Sequence, residues 1–178
     1  MTGLQIILEG LVGSHAYGLN TPDSDEDYRG IFVASTAELL SLDKPKDYHQ
    51  SLSDQEDWAL YELEKFMLLA LANNPNILEM LYLPKENYRV LSGIGHTLLE
   101  LRDEFLSQRV RKSYGGYAMG QFERLKKREE DGLEGFKSKL KKRYSKHARH
   151  CIRLLDQGWQ ILETGTLDVR ATNPDKLF

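Results

Sequence analysis

LQIILEGLVGSHAYGLNTPDSDEDYRGIFV, residues 4–33, is the stretch whose division decides the fold. Leu4, Ile6 and Leu8 alternate with Gln5, Ile7 and Glu9, the pattern of a strand buried more on one face than the other. Residues 15–24 form a loop, with Gly18, Asn20, Pro22 and Asp23 as turn formers. A second strand, Asp25 to Val33, returns beside the first and opens on two carboxylates spaced Asp-x-Asp. Alternate strand residues share a face, so Asp25 and Asp27 project together, about 7 Å apart along the chain. Like charges that close repel, and a divalent cation relieves the repulsion. At Gly13-Ser14 the backbone approaches a ligand closely and the serine offers a hydroxyl and an N–H, which are phosphate-binding features, although an ordinary turn has the same composition. The stretch therefore reads as a metal site facing a phosphate site.

A calcium loop counted from Asp23 fails, because its sixth and twelfth positions hold Tyr28 and Ala34 where glycine and glutamate are required. A solvated acidic turn is the plainer alternative, opposed by an apolar strand following the carboxylates directly. Further along, Asp57-Trp-Ala-Leu-Tyr-Glu-Leu reads as a short strand running into a helix. Beside the Asp25 strand, Asp57 completes a set of three carboxylates; in a shifted register Glu62 takes that place. Tyr17 either stacks on a base or plugs its loop.

Ser35 to Asp54 is polar and turn-rich, with a short helix at Thr36 to Ser41. Leu63, Phe66, Met67 and Ala70 have the spacing of a core-facing helical stripe. Asn74 as N-cap and Pro75 at the first helical position start the next helix, through Leu81, with Glu79 among its apolar residues and Pro84 ending it. From Tyr88 to about Glu163 the pattern is helical, interrupted at Gly115-Gly116 and from Glu129 to Gly135. Gly93-Ile-Gly95 lacks the preceding strand and third glycine of a dinucleotide loop. His147, His150 and Cys151 share one helical turn without a second ligand cluster, and helix packing accounts for them better than a metal does.

The 178 residues, 40 % hydrophobic and 29 % charged, are those of an ordinary globular protein that buries a real core. A net charge of -3 says little about partners, but its distribution says more. Acids dominate between Glu9 and Glu62, whereas Arg124 to Arg153 is strongly basic, an arrangement that suits a nucleotide enzyme with an acidic metal-binding half. Cys151 is the single cysteine, which excludes an intrachain disulfide and a thiolate zinc cage. With no secretory signal pattern and no apolar run near the roughly 18 residues of a membrane span, a cytoplasmic location and no membrane partner are expected.

Gly13-Ser14, then ten residues, then Asp25-x-Asp27, then a later acidic strand residue resemble the signature of the DNA polymerase beta-type nucleotidyltransferase superfamily. GSHAYGLNTPDSDEDYRG, DWALYELEKFMLLALANNPNILEML, YAMGQ and KHARHCIRLL are similar to one branch of it, predicted nucleotidyltransferases of bacteria and phages, some encoded near RNA ligases. The likeness runs from Leu11 to about Val169. It implies an α+β fold, a small mixed sheet with helices on one side in residues 1–86, followed by a helical region packed on it in residues 87–178. It also implies Gly13 and Ser14 on the terminal phosphates, Asp25 and Asp27 on magnesium (or manganese), and Asp57 as the third, catalytic carboxylate. Members are expected to continue beyond Phe178.

Metal held by these carboxylates would neutralise an NTP, ATP among the candidates, and align attacking and leaving oxygens. Arg29, Lys146, Arg149 and Arg153 are the cations assigned to the nucleotide and its leaving pyrophosphate. The resulting expectation is a magnesium-dependent transferase moving an NMP onto an acceptor, with the basic stretch favouring an RNA end. Two other readings use the same residues: a nucleotide- or RNA-binding module without catalysis, and a toxin–antitoxin-type transferase acting on protein or tRNA.

Overall fold

The computed structural model describes residues 4–43, 45–51, 56–130 and 138–171, and of these the side chains of 56, 128–130, 138–144 and 146 are not described. At its centre, β1 (Gln5–Val12) pairs antiparallel with β2 (Glu26–Val33). On the far side of β2, β4 (Glu56–Glu62) runs parallel to it, and β3 (Tyr48–Ser51) closes that edge antiparallel to β4. The other edge is β5 (Tyr88–Leu91), antiparallel to β1, so the mixed sheet has the order β3-β4-β2-β1-β5. The architecture is the expected α+β one.

Strict alternation fails inside β1. A bulge between Ile6 and Leu8 inserts one residue, and Ile7 and Leu8 are both fully buried where alternation had paired Ile6 with Leu8. In β2 the alternation holds: Ile31 and Val33 pack in the main core, with Asp27 and Arg29 on the same face. On the opposite face Phe32 is buried edge-on to His49, ring centroids 5.2 Å apart. That contact belongs to β3, which arises within the stretch read as loop; its sequence YHQS carries no apolar alternation, and pairing with β4 makes it a strand.

The helices follow their caps. Glu62 ends β4 and caps α3 (Leu63–Leu71) by accepting from Glu64 N at 2.7 Å. Phe66 and Ala70 of α3 are buried, whereas Met67 from the expected stripe is 39 % exposed. Asn74 caps α4 (Pro75–Leu78) with Pro75 at its first position, as the sequence predicts, and the helix tightens into a 3-10 turn over Glu79–Leu81. Asn74 Nδ2 also donates to Tyr117 Oη at 2.9 Å. Replacing Asn74 with Ala is expected to lower stability by about 1–2 kcal/mol, read from the denaturant midpoint, since cap and inter-helix bond go together.

Two short helices, α1 (Ser14–Tyr17) and α2 (Thr36–Leu39), lie in the β1–β2 loop and after β2. Beyond β4, the expected helical run from Tyr88 begins instead with β5, where Tyr88 and Leu91 pack against the core. Ser92 then caps α5 (Gly93–Glu100), and Gly95 packs directly on the Ile7 carbonyl where a larger residue would collide. Next, α6 (Val110–Glu130) passes through Gly115-Gly116 without the expected break. Val110, Tyr114 and Ala118 are buried at four-residue spacing, and Gly158 of α7 (Ser138–Thr164) lies against Tyr114. That packing offsets the roughly 1 kcal/mol that each interior glycine costs a helix. Most of the second expected break, 129–135, falls outside the described residues.

The expected boundary after residue 86 passes just ahead of β5, and one hydrophobic core takes Ile7, Ile31 and Leu81 from before it and Leu98, Tyr114 and Leu154 from after it. No described helix is long and apolar enough to cross a membrane.

Candidate active site

Three segments meet at one end of the sheet. The last residue of β1, Val12, is the register partner of Asp27, so the chain leaves the sheet at Gly13 beside that aspartate. Gly13 has φ 69° and ψ -145°, a conformation that side-chain-bearing residues rarely adopt. A Cβ there would stand 2.6 Å from Asp27 Oδ2, so both the backbone and the space require glycine. Ser14 follows, half-buried, and the α1 turn is closed by Tyr17 N–H to the Gly13 carbonyl at 3.1 Å and Leu19 N–H to the Ser14 carbonyl at 2.9 Å.

From the other side, β4 delivers Asp57 as the direct parallel partner of Asp27. Adjacent strands are about 4.8 Å apart, so two half-buried carboxylates stand side by side on one face. Asp25, exposed, lies just ahead of β2 and two residues from Asp27. Glu62, the alternative third carboxylate, sits at the opposite end of β4, roughly 16 Å along the strand, with its carboxylate capping α3.

Among the described residues no three His, Cys, Asp or Glu side chains gather into a ready-made metal cage. Magnesium does not demand one, since it is commonly held by one or two carboxylates with substrate phosphates and water completing an octahedron. The hard oxygen donors of Asp27 and Asp57, next to a backbone turn that admits close approach, fit an open site of that kind.

The cations are arranged differently from one another. Arg29, on the Asp27 face of β2, donates through Nη1 to Glu79 Oε1 at 3.1 Å and to the Asn76 carbonyl at 3.2 Å. Burial opposes its charge, but Glu79 and, more weakly, Asp27 hold the guanidinium above its ordinary value. Arg153, 4 % exposed, donates to Glu79 Oε2 at 3.3 Å and to Gln157 Oε1 at 3.0 Å, and lies over the Tyr17 ring at 3.8 Å. Arg149 is half-buried on α7, and the Lys146 side chain is outside the described residues.

Tyr17 plugs its loop rather than awaiting a base: its hydroxyl donates to Glu79 Oε2 at 2.7 Å, and burial, then the Glu79 charge, push its ionisation well above the ordinary tyrosine range. His147 meets Gln121 Oε1 at 2.7 Å, and the Cys151 thiol donates to the Ala118 carbonyl at 3.4 Å, so both serve α6–α7 packing. Glu79 is the residue whose part the sequence reading missed, although one acid inside the apolar run ILEML was its signal.

If Asp57 is the third carboxylate, Asp57→Asn should lower any metal-dependent turnover by about 100-fold or more with little change in melting temperature. Glu62→Gln should show the reverse, a melting loss from a weakened cap with turnover retained; measuring both variants separates the two positions.

This mixed sheet, with its glycine–serine turn against one of two register-paired aspartates, is of the DNA polymerase beta superfamily, a nucleotidyltransferase type. A family model described as the RNA repair pathway DNA polymerase beta family, RlaP, matches residues 2–173, and the chain belongs to that family. An uncharacterized 38.9 kDa protein from the nrdC–mobD intergenic region of Enterobacteria phage T4 is 30 % identical over 128 residues, covering 66 % of this chain and 38 % of the phage protein. This chain thus spans well under half of that relative's length. A nucleotidyltransferase-like protein from Exiguobacterium sibiricum 255-15 aligns in structure with TM-score 0.39 and 12 % identity, over 92 % of this chain and 53 % of its own.

Proposed function

We propose that this chain transfers a nucleoside monophosphate from an NTP to an acceptor hydroxyl, with magnesium held at Asp27 and Asp57 and Asp25 at the rim of the same site. What supports the reading above all is the juxtaposition of Asp27, Asp57 and Gly13, which places two carboxylates and a close-approach turn together. Bound magnesium supplies charge neutralisation of the triphosphate and alignment of the displacement. Gly13 and Ser14 hold the terminal phosphates through backbone N–H groups and the serine hydroxyl. Asp57 accepts the proton of the acceptor hydroxyl as its oxygen attacks the α-phosphorus. The bond from that phosphorus to the β-bridging oxygen breaks, and pyrophosphate leaves with its charge opposed by Arg29. Family membership and the basic stretch from Arg124 to Arg153 favour an RNA acceptor.

The test is incubation of the protein with each of the four α-labelled NTPs, magnesium and total RNA, against an Asp25→Asn/Asp27→Asn control. Label on RNA that the control lacks is the expected result. Label on protein or a small molecule would replace the RNA acceptor, and magnesium-dependent NTP binding without transfer would replace catalysis with nucleotide sensing.

A further inference from the structure

Glu79 sits in the 3-10 turn after α4 and is 2 % exposed, yet it is tied to three other elements. Its Oε1 accepts from Arg29 on β2, and its Oε2 accepts from Tyr17 on α1 and from Arg153 on α7. The same groups are held by further contacts: Arg29 Nη1 also donates to the Asn76 carbonyl, and Arg153 Nη2 lies 2.9 Å from His150 Nδ1. One buried carboxylate therefore joins the turn behind Gly13-Ser14, the strand that carries Asp27, and the long C-terminal helix.

Stability alone is a poor reason for such a cluster, because well-packed apolar residues often serve a buried site as well as ion pairs do. What the cluster does control is position. Arg29 is held at one nitrogen, Nη1, while Nε and Nη2 have no hydrogen-bond partner among the described residues. Arg29 also lies two residues along β2 from Asp27 on the same face. One carboxylate facing two guanidiniums leaves this group of three net positive, next to the place assigned to the triphosphate. Tyr17, gripped by Glu79 below and covered by Arg153 above, fixes the turn whose first residues are Gly13 and Ser14.

We propose that Glu79 is a positioning residue of the nucleotide site, orienting Arg29 and seating Tyr17 so that the phosphate-binding groups are in place before the nucleotide arrives. This rests on the nucleotidyl-transfer reading above. Pre-set groups spare the nucleotide the cost of ordering them, so the loss of the Tyr17 seat appears in affinity, while a misplaced Arg29, which opposes the leaving charge, lowers kcat as well.

The experiment is calorimetric titration of the wild type, Tyr17→Phe, Glu79→Gln and the double variant with each of the four magnesium–NTPs, beside their melting curves and steady-state transfer kinetics. Tyr17→Phe deletes one hydroxyl while Glu79 keeps both arginines, so it preserves the fold; it is expected to raise Kd and KM about three- to tenfold with kcat within about threefold. Glu79→Gln should raise them at least about tenfold, and the double variant should be no worse than Glu79→Gln, because Tyr17 acts through Glu79. Folded variants with wild-type affinity, or losses that add in the double variant, would overturn the proposal, as would variants that lose melting temperature alone. Should Glu79→Gln fail to fold, Tyr17→Phe decides by itself. A wild-type protein that binds none of the four magnesium–NTPs refutes the nucleotide reading, which is a different outcome from variants that bind as well as the wild type.

Discussion

Asp27→Asn is expected to abolish nucleotidyl transfer, by about 1,000-fold or more, while leaving the melting temperature unchanged or slightly raised. The two halves of this expectation share one cause. Asp27 and Asp57 are direct cross-strand partners, and like charges so placed oppose folding by up to about 1 kcal/mol, an effect that Arg29 beside Asp27 partly offsets. The amide keeps the side chain's shape, so its packing against Gly13 survives. It removes the negative charge that a divalent cation requires, and asparagine is a weak ligand for magnesium. Activity lost without stability lost is the signature of a group kept for chemistry. Transfer assays and thermal melts on one preparation check it; an Asp27→Asn protein with turnover within tenfold of wild type would remove this residue from the metal site.

The second large effect is expected from Gly13→Ala, which should lower both stability and nucleotide affinity. A residue with a side chain pays about 1–3 kcal/mol to hold φ 69°, ψ -145°, and here the new methyl also stands 2.6 Å from Asp27 Oδ2. Relief requires the turn or the carboxylate to move, and either shift displaces the proposed phosphate contacts relative to the proposed metal ligand. A loss of about 100-fold in kcat/KM is the scale at which such misplacements act. Gly18→Ala is the control. Gly18 has φ 69° and ψ 26°, in the ordinary left-handed region, with nothing within 4 Å of a built Cβ. It should cost about 1 kcal/mol and leave nucleotide affinity intact. Equal affinity losses in the two variants would show that loop rigidity in general, and not the Gly13–Asp27 contact, governs the site.

Much of the site's outline is legible in the chain. Asp27 on an apolar strand, the glycine–serine turn before it, and the Asn74-Pro75 helix start are local patterns with local causes, and each appears in the structure at its expected place, whereas Asp25, read as the first residue of that strand, lies exposed just ahead of it. Elements without a local cause were not legible. YRVL becomes a strand through a partner far away in sequence and YHQS through pairing with the strand that follows it, and a bulge in β1 turns Ile7 inward against the alternation. In α6 two adjacent glycines are carried through by packing against α7.

Strand periodicity and turn chemistry act over a few residues, so the chain alone sets carboxylates and a glycine–serine turn at the ends of two neighbouring strands. That Asp57, and not Glu62, stands beside Asp27 is not a local matter, since register between β2 and β4 is set by the packing of the whole sheet. The tertiary structure likewise decided how the arginines are deployed. Arg29 and Arg153 are 124 positions apart, and it is the burial of Glu79 between them, where an unpaired charge would be costly, that draws both onto one carboxylate.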